Sequence, residues 1–255
     1  MNGLINTLAQ SAPVLLNATL LTLIGSLISM ALAMAIAIPT AFARLAKNAL
    51  ARSVSTFYVE TIRGTPLLLQ LFAWFYGARL VLLFLFNFNP NVALYNLLTA
   101  LNSNSLMPTT VDITALFFAV IGLSFNYGAY LSEVIRAGIE AVDHGQIEAS
   151  QALGLSQFQI ARYVTLPQAL RIMIPPLTNN FITLVQDSSF WQVLGVYELS
   201  LTVFSLTQGI TNPLSPSRWG LFGEELIIYF IICYSLALVS QQVERRLSKG
   251  VAGAN

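Results

Sequence analysis

Polar side chains set inside long apolar runs are the residues of this chain best placed to do chemistry. Asn126, Tyr127 and Tyr130 recur at near-helical spacing in one run, and Asn179, Asn180, Thr183, Gln186 and Asp187 in another. At such spacing amides, hydroxyls and a carboxylate share a helix face, where each needs water or a partner. Two readings stand side by side: a hydrophilic path lined by these groups, or helix-helix hydrogen bonding, worth only about 0.6 kcal/mol per bond in a membrane. Asp187 is the sharpest of the set, because an ionised carboxylate near the end of a span is costly unless watered or paired, and it would attract an organic ammonium group. The chain shows no GxxxxGK[ST] phosphate loop, no HExxH and no cysteine cluster, and its single cysteine, Cys233, cannot form an internal disulfide. The runs hold no metal, nucleophile or paired-carboxylate constellation, which counts against a membrane-embedded enzyme. If ATP is used, another chain must bind it.

These groups must be positioned by elements that live in a bilayer. Only 9% of residues are charged, 56% are hydrophobic, and Met1 to Ala43 contains no Asp, Glu, Lys or Arg. The mean hydropathy is +0.70. A hydrocarbon core about 30 Å thick takes about 20 apolar residues to cross as a helix, and lipid offers no partner to an open backbone. Five spans are expected, at about residues 13–37, 59–80, 113–135, 166–186 and 226–243, forming an all-α polytopic bundle in one membrane domain over residues 1–255. Ala41-Phe42-Ala43 looks like a cleavage site, yet no basic residue precedes the apolar run, so the first span is expected to be retained.

Charge sets the expected orientation. Arg44, Lys47, Arg52 and Arg63 follow the first span, and five alternating spans put Arg136, Arg162, Arg171, Arg245, Arg246 and Lys249 on the same side, leaving Arg79 and Arg218 on the other. Ten of the twelve basic residues then face the cytoplasm, with the N-terminus outside and the C-terminus inside. Residues 199–217 are charge-free, but a sixth span there would throw the C-terminal basic cluster outside. Residues 87–110 and 188–222 are therefore read as external segments. A net charge of +1 gives no case for nucleic acid.

Between spans three and four, residues 145–167 read GQIEASQALGLSQFQIARYVTLP, too polar to cross a membrane and dense in helix punctuation. Gly154 can end one short helix, and Ser156 with Gln159 makes a capping box for another. Thr165 with Gln168 repeats the device, with Pro167 in the first turn. The expected form is a rigid cytoplasmic elbow, over about residues 140–165. By chemistry alone it fits equally a docking point for a soluble partner or a cover over the inner helix ends.

Glu148-Ala149-Ser150, three residues, Gly154, nine residues and Val164-Thr165-Leu166-Pro167 closely resemble the EAA loop of ABC importer permeases, with Ser150 in place of Ala and Val164 in place of Ile. The run from Glu60 to Leu71 (ETIRGTPLLLQL), Tyr127-Gly128-Ala129-Tyr130, Glu133, Arg136-Ala137-Gly138-Ile139 and Gly145-Gln146 resemble the hallmarks of the polar amino-acid uptake branch. The similarity covers roughly residues 15–200. It implies a type I ABC importer permease fold, no catalysis on this chain, and ATP with Mg on separate ATPase subunits. The elbow becomes a coupling helix, with Gln146, Glu148, Ala149, Ser150, Ala152, Leu153, Gly154 and Leu155 touching the ATPase. Alternating access follows, with the path formed between this chain and a second copy or a related permease. An extracytoplasmic binding protein is implied as the source of a small-molecule amino acid. The family usually carries Lys-Asp-Ser/Thr-Ser-Leu where this chain has Gln186-Asp187-Ser188-Ser189-Phe190; losing the lysine leaves the local charge more negative, in the direction that favours a cationic substrate, and leaves substrate identity open.

Several residues carry paired readings. Arg63, beside Gly64-Thr65-Pro66, is either a topology anchor or part of an inner gate. Pro175-Pro176 predicts a kink, by packing or to turn carbonyls toward the path. Glu133 and Arg136 can pair as structure, and His144 reads as a polar loop residue. Trp74, Trp191 and Trp219 fall near boundaries or packed interfaces. The rival classes are an ion-coupled secondary carrier or channel, which would be expected to show inverted repeats or midplane ionisable groups, and an importer of a solute other than an amino acid.

Overall fold

The computed structural model describes residues 2–86, 113–210, 212 and 215–252. The expected external segment 87–110 lies outside the described residues. Those described are helical almost throughout: α1 (Asn2–Leu45), α2 (Ala49–Arg63), α3 (Leu67–Phe72, continuing through a π turn at Ala73–Ala78 into Arg79–Phe86), α4 (Ile113–Glu140), α5 (His144–Ala152), α6 (Gln157–Ile160), α7 (Leu166–Asp187), α8 (Leu199–Gln208) and α9 (Pro216–Ala252). They fall into two compact units, one of Met1–Ala31, Thr65–Ser124 and Leu184–Cys233, the other of Leu32–Gly64, Phe125–Thr183 and Tyr234–Asn255.

Four described helices are long and apolar enough to cross a membrane: Gln10–Leu45, Leu67–Leu85, Ile113–Glu140 and Pro216–Arg245. The fourth expected span is present as α7, 22 residues long, but Gln168, Arg171, Asn179, Asn180 and Gln186 keep it out of that set. Within residues 199–217 the described helix, α8, has only 10 residues, about half of what a span requires.

The second expected span needs correction. Residues 59–80 are not one helix, because α2 stops at Arg63 and α3 starts at Leu67. Pro66 has φ −64 and ψ 136, has no N–H to continue a helix, and pushes Thr65 out of the α region. The Gln70 amide closes the corner, donating to Thr65 O at 3.0 Å and Thr65 Oγ1 at 2.8 Å. Arg63 therefore ends a separate helix. The separate helix start expected at Thr165 is absent too. The chain runs on from α6 through a π turn at Ala161–Thr165 into α7, with Pro167 in the first turn of that helix.

α1 is packed the opposite way to a helix in water. Its buried residues include Ser11, Leu15, Ala18, Thr22, Gly25, Ser26, Ser29, Ala33, Ala37 and Ala41, whereas Leu16, Leu20, Ile24, Leu27 and Ile28 are exposed. Lipid tails are as apolar as leucine, so hiding leucine from them gains little, while small residues let backbones approach. At Gly25 the approach is tightest: an added Cβ would lie 2.6 Å from Trp191 Cζ3, and Trp191 is fully buried.

In the same unit Glu198 has no exposed surface. Its carboxylate caps α8 by accepting Leu201 N–H at 3.0 Å, and also accepts from Tyr229 Oη of α9 at 3.2 Å and Thr22 Oγ1 of α1 at 3.4 Å. Three helices thus meet on one acid. Burial raises this carboxyl from 4.5 to about 7, against the opposing bonds from Ser200, Leu201 and Tyr229, with the Glu225 charge adding to the rise. A folded-state value above the unfolded one gives stability that is complete below 4.5 and lost as pH climbs through about 7. The thermal midpoint of the purified protein is expected to fall between pH 5 and pH 8, and to fall less in Glu198→Gln, measured by tryptophan fluorescence in detergent.

Candidate functional site

The elbow is built by its own caps. Asp143 starts α5, its side chain accepting Gly145 N–H at 2.8 Å. At the other end Leu155 N donates to Ser150 O at 3.2 Å and Gly154 N to Gln151 O at 2.9 Å, with Gly154 at φ 80. This pair of bonds around a left-handed glycine is the Schellman closure that the sequence pattern predicts. The capping box is also in place, with Ser156 N donating to Gln159 Oε1 at 2.8 Å and Gln159 N to Ser156 Oγ at 3.4 Å. Below it, Ile160 of α6 is buried. Gln168 Nε2 of α7 donates to Gln146 Oε1, tying α5 to the next long helix.

The expected coupling residues separate into two groups on this scaffold. Glu148, Ala149, Ala152, Leu153 and Gly154 are exposed, and Leu155 is half-buried. Ser150 turns inward at 8% exposure, its hydroxyl donating to Gln146 O at 2.6 Å, and the Gln146 amide is engaged by Gln168. Ser150 thus holds the elbow from within, while Gln146 braces it from an exposed position. Sequence reasoning missed Phe158, which is 71% exposed, as Leu153 is at 81%. The available signal was an aromatic residue in a four-residue polar helix whose one buried position is Ile160.

The path residues separate as well. On α7, Asn179, Thr183 and Gln186 are exposed, at helical spacing of four and three, while Asn180 and Asp187 are half-buried. Asn180 Nδ2 and Thr183 Oγ1 donate to the carbonyls of Pro176 and Asn179 at 2.8 and 3.1 Å, and the helix passes through Pro175-Pro176 without ending. On α4 the expectation of one polar face needs correction. Asn126 and Tyr127 are 5% and 3% exposed, so they are packing residues here, because spacing alone cannot say which side of α4 meets its neighbours. Only Tyr130, at 37% exposure, is open. The Arg63 guanidinium lies 5.7 Å from the Tyr130 ring centre, within cation–π range. Arg63 and Tyr130, far apart in the chain, are thus brought together.

Long apolar helices, a polar stripe on α7 and a capped elbow are the architecture of a multi-pass membrane component. Residues 33–249 match the family described as Binding-protein-dependent transport system inner membrane component, and the chain belongs to that family. It is 37% identical over 240 residues to the L-cystine transport system permease protein TcyB of Bacillus subtilis, covering 94% of this chain and 89% of that one. It is 30% identical over 235 residues to the glutamine transport system permease protein GlnP of Escherichia coli K12, covering 92% and 93%. A crystal structure of an amino acid ABC transporter with histidines aligns with a TM-score of 0.75 and 27% identity, over 94% of this chain and 96% of that one. The MetNI methionine ABC transporter in inward-facing conformations shares the fold, with a TM-score of 0.59 and 16% identity over 97% and 99%. The family is a multi-pass membrane component of transport systems, not a catalytic subunit.

Gly154 gives the scaffold a direct check. An added Cβ would meet nothing within 4 Å, so the cost of Gly154→Ala is conformational, about 1–2 kcal/mol. Hydrogen exchange at the Leu155 amide is expected to speed up roughly tenfold, with Gly154→Asn recovering part of the loss.

Proposed function

We infer that this chain is the permease subunit of an ATP-driven ABC importer that carries polar amino acids across the inner membrane by alternating access. The observation that carries this reading is the capped elbow with its exposed apolar pair. Leu153 and Phe158 stand open on a segment otherwise too polar to meet lipid, and large apolar side chains exposed there suit burial against a protein partner. ATPase subunits, which hold the ATP and Mg, are that partner. Glu148, Ala149, Ala152, Leu153, Phe158 and Leu155 form the contact, while Gln146, Ser150 and Gly154 shape it.

The substrate route runs along Asn179, Thr183 and Gln186 with Asn180 and Asp187, facing a second copy of this chain or a related permease. Arg63 over Tyr130 forms the inner gate, and Asn126 and Tyr127 join the route only in a conformation that turns α4. Membrane components named for L-cystine and glutamine among the similar proteins, and a histidine-bearing amino acid transporter among the similar structures, support amino acids as the cargo class. An extracytoplasmic binding protein delivers it to segments 87–110 and 188–222. Orientation with the N-terminus outside is supported by the two compact units, since ten of the twelve Lys and Arg residues belong to the unit that contains the elbow. The chain acts as a single transmembrane domain over residues 1–255, surrounded by lipid.

Proteoliposomes containing this permease, its copurifying ATPase and the binding protein are expected to take up radiolabelled glutamine, cystine or histidine only with internal or external ATP at the ATPase face. Leu153→Asp combined with Phe158→Asp is expected to lower uptake at least tenfold and to lose the ATPase on purification, with membrane yield unchanged. Uptake driven by an ion gradient without ATP would overturn the reading in favour of a secondary carrier.

A further inference from the structure

Glu133, on the inner part of α4, is contacted by two arginines. Arg44 Nη1, at the end of α1, donates to Glu133 Oε2. Arg136 Nε donates to the same oxygen at 3.2 Å, and Arg136 Nη2 to Glu133 Oε1. Arg136 passes its remaining arm to Glu140, and Arg44 Nη2 lies 3.9 Å from Glu60 Oε1 of α2. The side chains at the centre are largely shielded, Arg44 at 12%, Glu133 at 24% and Arg136 at 25% exposure. The pairing of Glu133 with Arg136 follows from their spacing; the arrival of Arg44 from 89 residues away does not.

All of these groups sit in the unit that also holds the elbow. Other contacts there bring the same three helices together. Tyr58 Oη of α2 donates to Phe125 O of α4 at 2.6 Å, and a Cβ added to Gly128 of α4 would lie 2.8 Å from Ile36 Cγ2 of α1. Within this unit the buried residues of α1 are Ala33, Ala37 and Ala41. A stripe of alanines is smooth and fixes a distance, but it resists axial sliding weakly. A carboxylate shared by two guanidinium groups is directional, since their donors form rigid planar forks. Glu133 therefore sets the register of α1 on α4. Three residues separate the end of α4 from the start of α5, so α4 enters the elbow directly at one end, as α7 leaves it at the other.

We propose that Glu133, held by Arg44 and Arg136, is the positioning residue that transmits elbow motion from α4 to α1, so that the inner halves of these helices shift together. Without it, the elbow would still engage its partner while α1 lagged behind. The proposal rests on the importer reading given above and assigns the internal joint that reading requires. It predicts a specific kind of failure: nucleotide hydrolysis continues, but transport per ATP falls.

The test uses the complete transporter in proteoliposomes, measuring amino-acid uptake, ATP hydrolysis and the amount of assembled complex. Glu133→Gln and Arg44→Gln are each expected to lower uptake about tenfold with ATP hydrolysis and assembly within twofold of the parent, raising the ATP used per substrate. Glu133→Asp, which keeps the charge, should recover part of the uptake, and the exchange Arg44→Glu with Glu133→Arg should recover at least a third. Uptake equal to the parent in Glu133→Gln would overturn the proposal. Parallel loss of uptake, hydrolysis and assembly, with no rescue by Glu133→Asp or by the exchange, would overturn it too, by reducing Glu133 to a folding residue. Absence of ATP-driven uptake by the parent complex would instead sink the importer reading itself, and this proposal with it.

Discussion

A helix in hydrocarbon gains almost nothing by hiding leucine, because lipid is as apolar as any protein interior. That constraint decides how this chain is packed. α1 turns alanine, serine and threonine inward and leucine and isoleucine outward, the approach of Gly25 to Trp191 being its extreme case. Close contact between small residues supplies dispersion and little direction. Register must therefore come from a few polar bonds placed where helices cross: Glu198 joining α1, α8 and α9 in one unit, and the Tyr58 hydroxyl and the Glu133 carboxylate in the other. The fold is smooth surfaces pinned at points.

That economy explains why the elbow is so heavily capped. A segment that leaves the bilayer loses the lipid that enforces helical hydrogen bonding, and it must close its own ends in water. The Asp143 carboxylate, the Schellman turn at Gly154 and the Ser156–Gln159 box do this with groups of the elbow itself, and the Gln146–Gln168 bond ties the result to α7. Rigidity achieved this way leaves the outward side chains free. Leu153 and Phe158 are then available for a partner without weakening the segment that presents them.

Features governed by local chemistry were legible in the sequence. The Gly154 turn, the capping box and the start of α4 follow from residue types within a few positions. Features governed by tertiary choice were not. Average hydropathy ran straight through Gly64-Thr65-Pro66, although the proline there breaks the helix. Helical spacing grouped Asn126 with Tyr127 and Tyr130 but gave no way to see that the first two face inward. The meeting of Arg44 with Glu133, and of Arg63 with Tyr130, has no local signature. Family resemblance supplied the role of the elbow, and geometry then sorted its residues into those that hold it and those that face out.

Everything functional here rests on the elbow being covered by the ATPase in the assembled importer. With Cys233, the only cysteine, replaced by serine, a single cysteine introduced at Leu153 reports on this directly through its reaction with maleimide. In the assembled complex it is expected to be protected at least tenfold relative to the isolated permease, and to cross-link to the nucleotide-binding subunit with a short bifunctional reagent. Equal labelling in the complex and in the isolated chain, with no cross-link, would contradict the account.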